Sequence, residues 1–157
     1  MCVLINSMTA GGAEKVVATL YPEYQKAGVP VSFLSLEKND FHVIEGVTPV
    51  YLSNQTGETE GGVLKLLSLF RFALKLKKYV KQNNIKLVQS HIYRANYVNI
   101  LARLLGSKHK VQVVSHGMPS QYLTEGLAGK TNLFLIRWLY RKADQSICPS
   151  QGMVNEL

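Results

Sequence analysis

The sequence predicts an α/β fold, a Rossmann-like doubly wound parallel sheet of about six strands with helices on both faces. Three observations carry that reading. Short β-branched runs alternate with longer segments of helical period; glycines open or stop those segments; and 157 residues, 46% hydrophobic and 18% charged, suit one domain with a buried core. Val3–Ser7 is the first strand. Gly11-Gly12 then opens a helix over residues 12–27, with Ala13, Val16, Val17 and Leu20 on one face, Gly28 as its stop and Pro22 as a place to kink. Val29–Leu36 and Val47–Ser53 are the second and third strands, joined by a polar connection at Glu37–Asp40. Asn54–Gly62 is a loop by composition. The longest helix, Val63–Gln82, precedes a strand at Lys86–Ser90, a helix at Tyr93–Leu105 ended by Gly106, and a strand at Val111–Ser115. A polar loop, Gly117–Lys130, leads to a helix at Asn132–Lys142, a strand at Gln145–Cys148 and a last helix from Ser150.

The net charge of +8 is unevenly spread: residues 1–62 carry three Lys/Arg against seven Asp/Glu, and residues 63–157 carry fifteen against three. No acidic residue occurs between Glu60 and Glu125, where eleven basic ones run from Lys65 to Lys110, so this part favours phosphates or an anionic surface. Mean hydropathy of +0.02 and eight tyrosines exclude a self-solvating disordered chain. Cys2 and Cys148 sit far apart without C-x-x-C or metal-ligand spacing, which reads as two buried thiols in a reducing compartment. No metal and no cofactor are expected. The N-terminus enters an apolar strand without a basic leader, and no run reaches the length of a membrane span. The chain is expected to be cytoplasmic, lying on a membrane surface if it meets one.

In a doubly wound sheet, ligands bind beyond the carboxyl ends of the strands, so the residues there carry the chemistry. Gly11-Gly12-Ala13-Glu14 turns a strand into a helix and is either a phosphate-approaching loop or a plain tight turn, since G-x-G-x-x-G is not satisfied. Gly126–Thr131 (GLAGKT) has two residues between its glycines where a Walker loop needs four, and it follows no strand. Ser90-His91 and Ser115-His116-Gly117 close two strands. Each imidazole is either a neutral group donating to a sugar hydroxyl or phosphate, or a strand-end histidine bonded to a loop carbonyl. His42 and His109 read as surface residues.

The long helix places Arg71, Lys75 and Lys78 in one basic stripe. Leu67, Phe70 and Leu74 widen its apolar arc beyond the Leu66, Leu69, Phe72, Ala73, Leu76 face. That calls for a second apolar neighbour, either an adjacent helix or the acyl boundary of an anionic bilayer. The apolar run Leu133–Arg141 reads as core with a basic edge in preference to an interfacial anchor.

Taken in order, Gly11-Gly12-Ala13-Glu14, Ser90-His91 with Arg94-Ala95-Asn96, Val114-Ser115-His116-Gly117, and Ala143-Asp144 leading to Ser150 resemble the N-terminal, acceptor-side domain of family 4 (group 1) retaining glycosyltransferases, over essentially the whole chain. The resemblance implies a GT-B fold, in which one Rossmann-like domain holds mainly the acceptor and a second holds the nucleotide sugar. It implies that Gly11 and Gly12 lie near the donor diphosphate, that His116 is the catalytic-cleft histidine beside the transferred sugar, and that Glu14, His91, Arg94 and Asn96 line the acceptor side. The family's E-x7-E element and its Arg/Lys pair belong to the second domain. Residues 1–157 are therefore expected to be a single acceptor-side domain with the donor-binding C-terminal domain absent, and to be inactive alone. The partners implied are a nucleotide sugar, met mainly through the missing domain, and a glycolipid, capsule or lipopolysaccharide-type acceptor. Arg71, Lys75 and Lys78 would contact phosphates or an anionic membrane. The alternatives are a noncatalytic basic peripheral module and one subunit of a split enzyme. Nucleic acid is not an expected partner, because the charge comes without zinc ligands or RNP-type aromatics.

Overall fold

The computed structural model describes residues 1–39, 41–54, 63–118, 120 and 126–155, with the side chains of 63–66 and 127–128 left aside. The elements are β1 Cys2–Ile5, α1 Gly12–Lys26, β2 Ser32–Ser35, β3 Val50–Tyr51, α2 Val63–Gln82, β4 Leu87–His91, α3 Tyr93–Leu104, β5 Lys110–Val114, α4 Gly126–Tyr140, β6 Gln145–Ile147 and α5 Gln151–Val154. Most of the loop expected at Asn54–Gly62, Asp40, and residues 119 and 121–125 of the polar loop expected at Gly117–Lys130 lie outside the described residues.

All six strands pair in parallel in the order β3-β2-β1-β4-β5-β6. The chain therefore winds outward from β1 to β3, crosses back, and winds the other way from β4. Its direction reverses between β1 and β4, which opens a crevice at their carboxyl ends.

Side chains alternate along each strand, and the alternation makes two cores. Cys2 and Leu4 of β1 face α2, α3 and α4 with Leu34, Val88, Val111, Val113, Phe72, Leu76, Val98 and Ile136. Val3 and Ile5 face α1 with Val17, Tyr21, Phe33 and Ile44. Helices thus cover both faces, three against one. Cys2 is fully buried and desolvation pushes its thiol up to about 12; Cys148 is only half-buried, its thiol also raised by burial.

Several boundaries differ from expectation. The first three strands are shorter than predicted: β1 and β2 pair over Cys2–Ile5 and Ser32–Ser35, and β3 pairs only where Leu34–Ser35 meets Val50–Tyr51. The last long helix starts at Gly126, not Asn132, so the Walker-like GLAGKT stretch forms its first turns. His109, expected at the surface, is buried: its Nδ1 and Nε2 lie 2.8 Å from Ser107 Oγ and Asn99 Oδ1, which replace the water it gave up.

α2 packs its Leu69, Phe72, Ala73, Leu76 and Val80 inward, while Leu67, Phe70 and Leu74 remain 44–55% exposed. No adjacent helix covers them among the described residues. Arg71, Lys75 and Lys78 are also exposed, and Lys75 Nζ donates to the Leu52 carbonyl. α4 buries Leu133, Ile136, Leu139 and Tyr140. Phe134 and Trp138 stay at least half exposed beside Arg137 and Arg141, so its apolar run is only partly core.

Candidate functional site

The crevice gathers side chains from five strand and helix ends. β1 delivers Asn6, Ser7 and Thr9. The loop after β2 delivers Glu37, Lys38 and Asn39, and the start of α3 delivers Tyr93 and Arg94. Together with Glu14 and Ile92 these line a cleft of about 330 Å³. His116 and Gly117 line an adjoining hollow of about 50 Å³ with Ser115, Ile92, Tyr93, Ile136 and Tyr140.

Gly11 caps α1 in an extended conformation (φ −98°) with no side-chain cap, so the first N–H groups of the helix have no competing side-chain acceptor at the cap. Its lack of a side chain answers a close approach rather than a turn. A Cβ there would stand 2.9 Å from the Glu14 carboxyl carbon and nearer still to Oε2, whereas a Cβ on Gly12 would meet nothing within 4 Å. Glu14 is buried and its Oε1 accepts from Thr9 Oγ1 at 2.7 Å. A carboxylate at the third helical position suits the positive end of α1.

Arg94 and Glu37 form a two-point ion pair, Nη2–Oε1 at 2.6 Å and Nη1–Oε2 at 3.2 Å, with both side chains largely buried. Asn6 Oδ1 accepts from the Ala95 N–H at 2.8 Å and so caps α3 from the end of β1, across the crevice. Between His91 and α3, Ile92 is held at φ +70°, a conformation β-branched residues rarely adopt. Asn6, Arg94 and the buried His91 pin its neighbours on either side.

His91 and His116 come together at the centre. Their rings stack with centroids 5.2 Å apart, and His91 Nδ1 lies 2.9 Å from His116 Nε2. Burial lowers the pKa of His91 to about 3, helped by repulsion from His116. Burial also lowers that of His116, against the opposing charge of Glu14. Both rings are neutral at pH 7.

Of the residues singled out in the sequence, Glu14 and Arg94 line the cleft and His116 the adjoining hollow; His91 is buried behind His116, and Gly11 and Gly12 start α1 beside Glu14 without lining either space. Asn96 does not reach the cleft surface. It is fully buried, and its amide donates to the Val114 carbonyl at 3.1 Å and to Tyr140 Oη at 2.6 Å, tying α3 to β5 and α4. Arg71, Lys75 and Lys78 lie away on α2. Sequence reading missed Asn6, Thr9 and Gln89. Asn6 pairs 89 residues away, and only its position at a strand's carboxyl end marks it. Among the described residues no group of His, Cys, Asp and Glu is arranged to hold a metal, and no helix is long and apolar enough to cross a membrane.

The sheet order and the crevice define a Rossmann-like doubly wound domain. The profile of Glycosyltransferase Family 4 matches residues 10–157, and the chain belongs to that family. It is 31% identical over 156 residues to the N-acetylgalactosamine-N,N'-diacetylbacillosaminyl-diphospho-undecaprenol 4-alpha-N-acetylgalactosaminyltransferase of Campylobacter jejuni, covering 99% of this chain and 42% of that protein. The lipopolysaccharide outer core galactosyltransferase WaaB superimposes with a TM-score of 0.68 at 12% identity, over 99% of this chain and 41% of that one. A Listeria monocytogenes chain described as a UDP-N-acetylglucosamine 2-epimerase gives 0.67 at 11% identity, over 98% and 41%. The chain thus spans about two fifths of the length of these relatives. The structural likenesses establish the fold alone, because transferase and epimerase share it.

Proposed function

We propose that this chain is the acceptor-side domain of a retaining glycosyltransferase that moves a sugar from a nucleotide-sugar donor to a lipid-linked or polysaccharide-type acceptor. The observation that carries it is the convergence of Glu14, Arg94 and His116 on the adjoining hollows between β1 and β4, with the Gly11-Gly12 start of α1 one turn from Glu14.

In this reading the open space over Gly12 and the first N–H groups of α1 admit the donor's phosphates. The polar lining of the 330 Å³ cleft receives acceptor hydroxyls, with Arg94 held rigid by Glu37. Neutral His116 touches the transferred sugar. Neutralisation of the departing diphosphate, the largest electrostatic demand of the reaction, falls to a second domain.

The Campylobacter relative's name gives a diphospho-undecaprenol acceptor, and an acceptor of that class sits in a membrane. The outer faces of α2 and α4 suit such a location: Leu67, Phe70, Leu74, Phe134 and Trp138 are exposed among Arg71, Lys78, Arg137 and Arg141. Past the end of this stripe, Lys77, Lys81, Lys86 and Lys108 line a basic hollow of about 430 Å³.

The test is transfer itself. The complete polypeptide carrying this domain, given UDP-sugars and undecaprenyl-diphosphate-linked saccharide, forms the elongated lipid with the anomeric configuration of the donor retained, and residues 1–157 alone do not. Product from residues 1–157 alone, or inverted product from the complete polypeptide, overturns the reading.

A further inference from the structure

On the face of the sheet that carries α1, three glutamines stand side by side: Gln89 of β4 pairs with Gln112 of β5, and Gln112 with Gln145 of β6. Their side chains form a ladder. Gln112 Nε2 donates to Gln145 Oε1 at 2.6 Å, and Gln89 Nε2 donates to Gln112 Oε1 at 2.6 Å. Gln89 Oε1 accepts from Tyr24 Oη at 3.0 Å and lies 3.1 Å from His91 Nε2.

With the Gln89 amide oxygen turned toward it, the side that also takes the Tyr24 hydroxyl, His91 carries its proton on Nε2. A neutral imidazole has one N–H, which leaves His91 Nδ1 as an acceptor. The nitrogen 2.9 Å from it is His116 Nε2, which must then be the donor. The opposite assignment would set the bare Nε2 of His91 against the Gln89 oxygen in a buried site.

We propose that the Gln145–Gln112–Gln89 ladder, acting through His91, fixes the tautomer of His116, so that His116 meets its substrate as a hydrogen-bond acceptor at Nδ1. His91 and Gln89 are positioning residues, since His91 is buried and neither lines the cleft. The proposal rests on the reading that His116 touches the sugar, and it specifies the contact. The sequence leaves His116 either donating to a sugar hydroxyl or phosphate or bonded to a loop carbonyl; in this proposal its N–H is given to His91 and its other nitrogen accepts. An acceptor nitrogen takes a sugar hydroxyl as donor and repels a phosphate oxygen, so the group seated at His116 is a hydroxyl.

The experiment is ring-nitrogen NMR on ¹⁵N-histidine-labelled residues 1–157 at neutral pH, with no substrate and no turnover. Native His116 gives a protonated Nε2 and an unprotonated Nδ1, and His91 gives the same pattern. Gln89→Met keeps the length and apolar bulk of the side chain and removes the acceptor. His91 then moves its proton to Nδ1 and donates to His116, so the His116 proton shifts toward Nδ1 while the sheet amide spectrum is kept. A proton on Nδ1 of native His116 overturns the proposal, as does a folded Gln89→Met protein with an unchanged His116 tautomer. Should that variant fail to fold, the native tautomer decides alone. Because no transfer is measured, this result is independent of whether the domain serves a glycosyltransferase.

Discussion

The Glu14 carboxylate occupies the space that a side chain on Gly11 would need. The glycine pair that opens α1 is therefore two different positions. Gly11→Ala forces the carboxylate off Thr9, with an overpacking cost of about 1–3 kcal/mol. Glu14→Ala in the same chain relieves the clash, and a double-mutant cycle by urea unfolding reads the coupling. Additive costs would sever the link between the two residues.

Gly12→Ala gives the opposite pattern. The position is helical and open, so alanine there leaves stability unchanged or raises it by about 0.4–1 kcal/mol. If donor phosphates pass over Gly12, the same methyl group raises KM for the nucleotide sugar in the complete enzyme. A Gly12→Ala enzyme with native KM would leave the space over Gly12 without a ligand.

These contrasts mark how far the sequence could be read. The strand–helix alternation, the six strands and the places of His91 and His116 at strand ends follow from periodicity, because each is local; Arg94, in the first turn of α3, enters through the family resemblance. What periodicity does not carry is the partner of each side chain. His109 follows a polar connection and reads as exposed, yet Asn99 and Ser107 enclose it. The family resemblance puts Asn96 on the acceptor side, but three residues past Tyr93 the helix turns it inward onto Tyr140. The glutamine ladder is spread over three strands, and its members become neighbours only through the register of β4, β5 and β6.

Two buried histidines make the domain acid-sensitive. His91 titrates near 3 and His109 near 4 when folded, both lowered first by desolvation, against an ordinary 6.5. The unfolded chain binds these protons first, so stability is complete above about pH 6.5. It falls as pH drops toward those folded values, by roughly 1.4 kcal/mol per pH unit for each histidine. Urea midpoints at pH 7 and pH 5 measure this, and His109→Gln flattens the dependence. Equal midpoints at both pH values contradict it.

His116→Ala in the complete enzyme lowers kcat by about 10- to 10³-fold, the range for a lost transition-state hydrogen bond. His116 is half-buried at the edge of a small hollow, so the fold survives. Unchanged kcat in a folded variant would make His116 structural.

Arg71, Lys78 and Lys81 follow one another along the exposed face of α2, continuing the line of Leu67, Phe70 and Leu74. Lys75 is tied to the Leu52 carbonyl, so it is the weaker member of the stripe named from the sequence. Apolar residues at one end and lysines at the other allow the acyl boundary and anionic headgroups to be met together. Each cation near such a surface is worth about 1 kcal/mol, so reversing Arg71, Lys78 and Lys81 to Glu weakens binding to anionic vesicles by at least roughly a hundredfold. Raised salt weakens the native protein in the same direction, and Leu67→Ser with Leu74→Ser lowers binding at fixed charge. Cosedimentation with anionic and neutral vesicles at two salt concentrations separates the terms. Recovery equal in both lipids, or untouched by the triple reversal, means that α2 faces water and that its lysines serve some other anion.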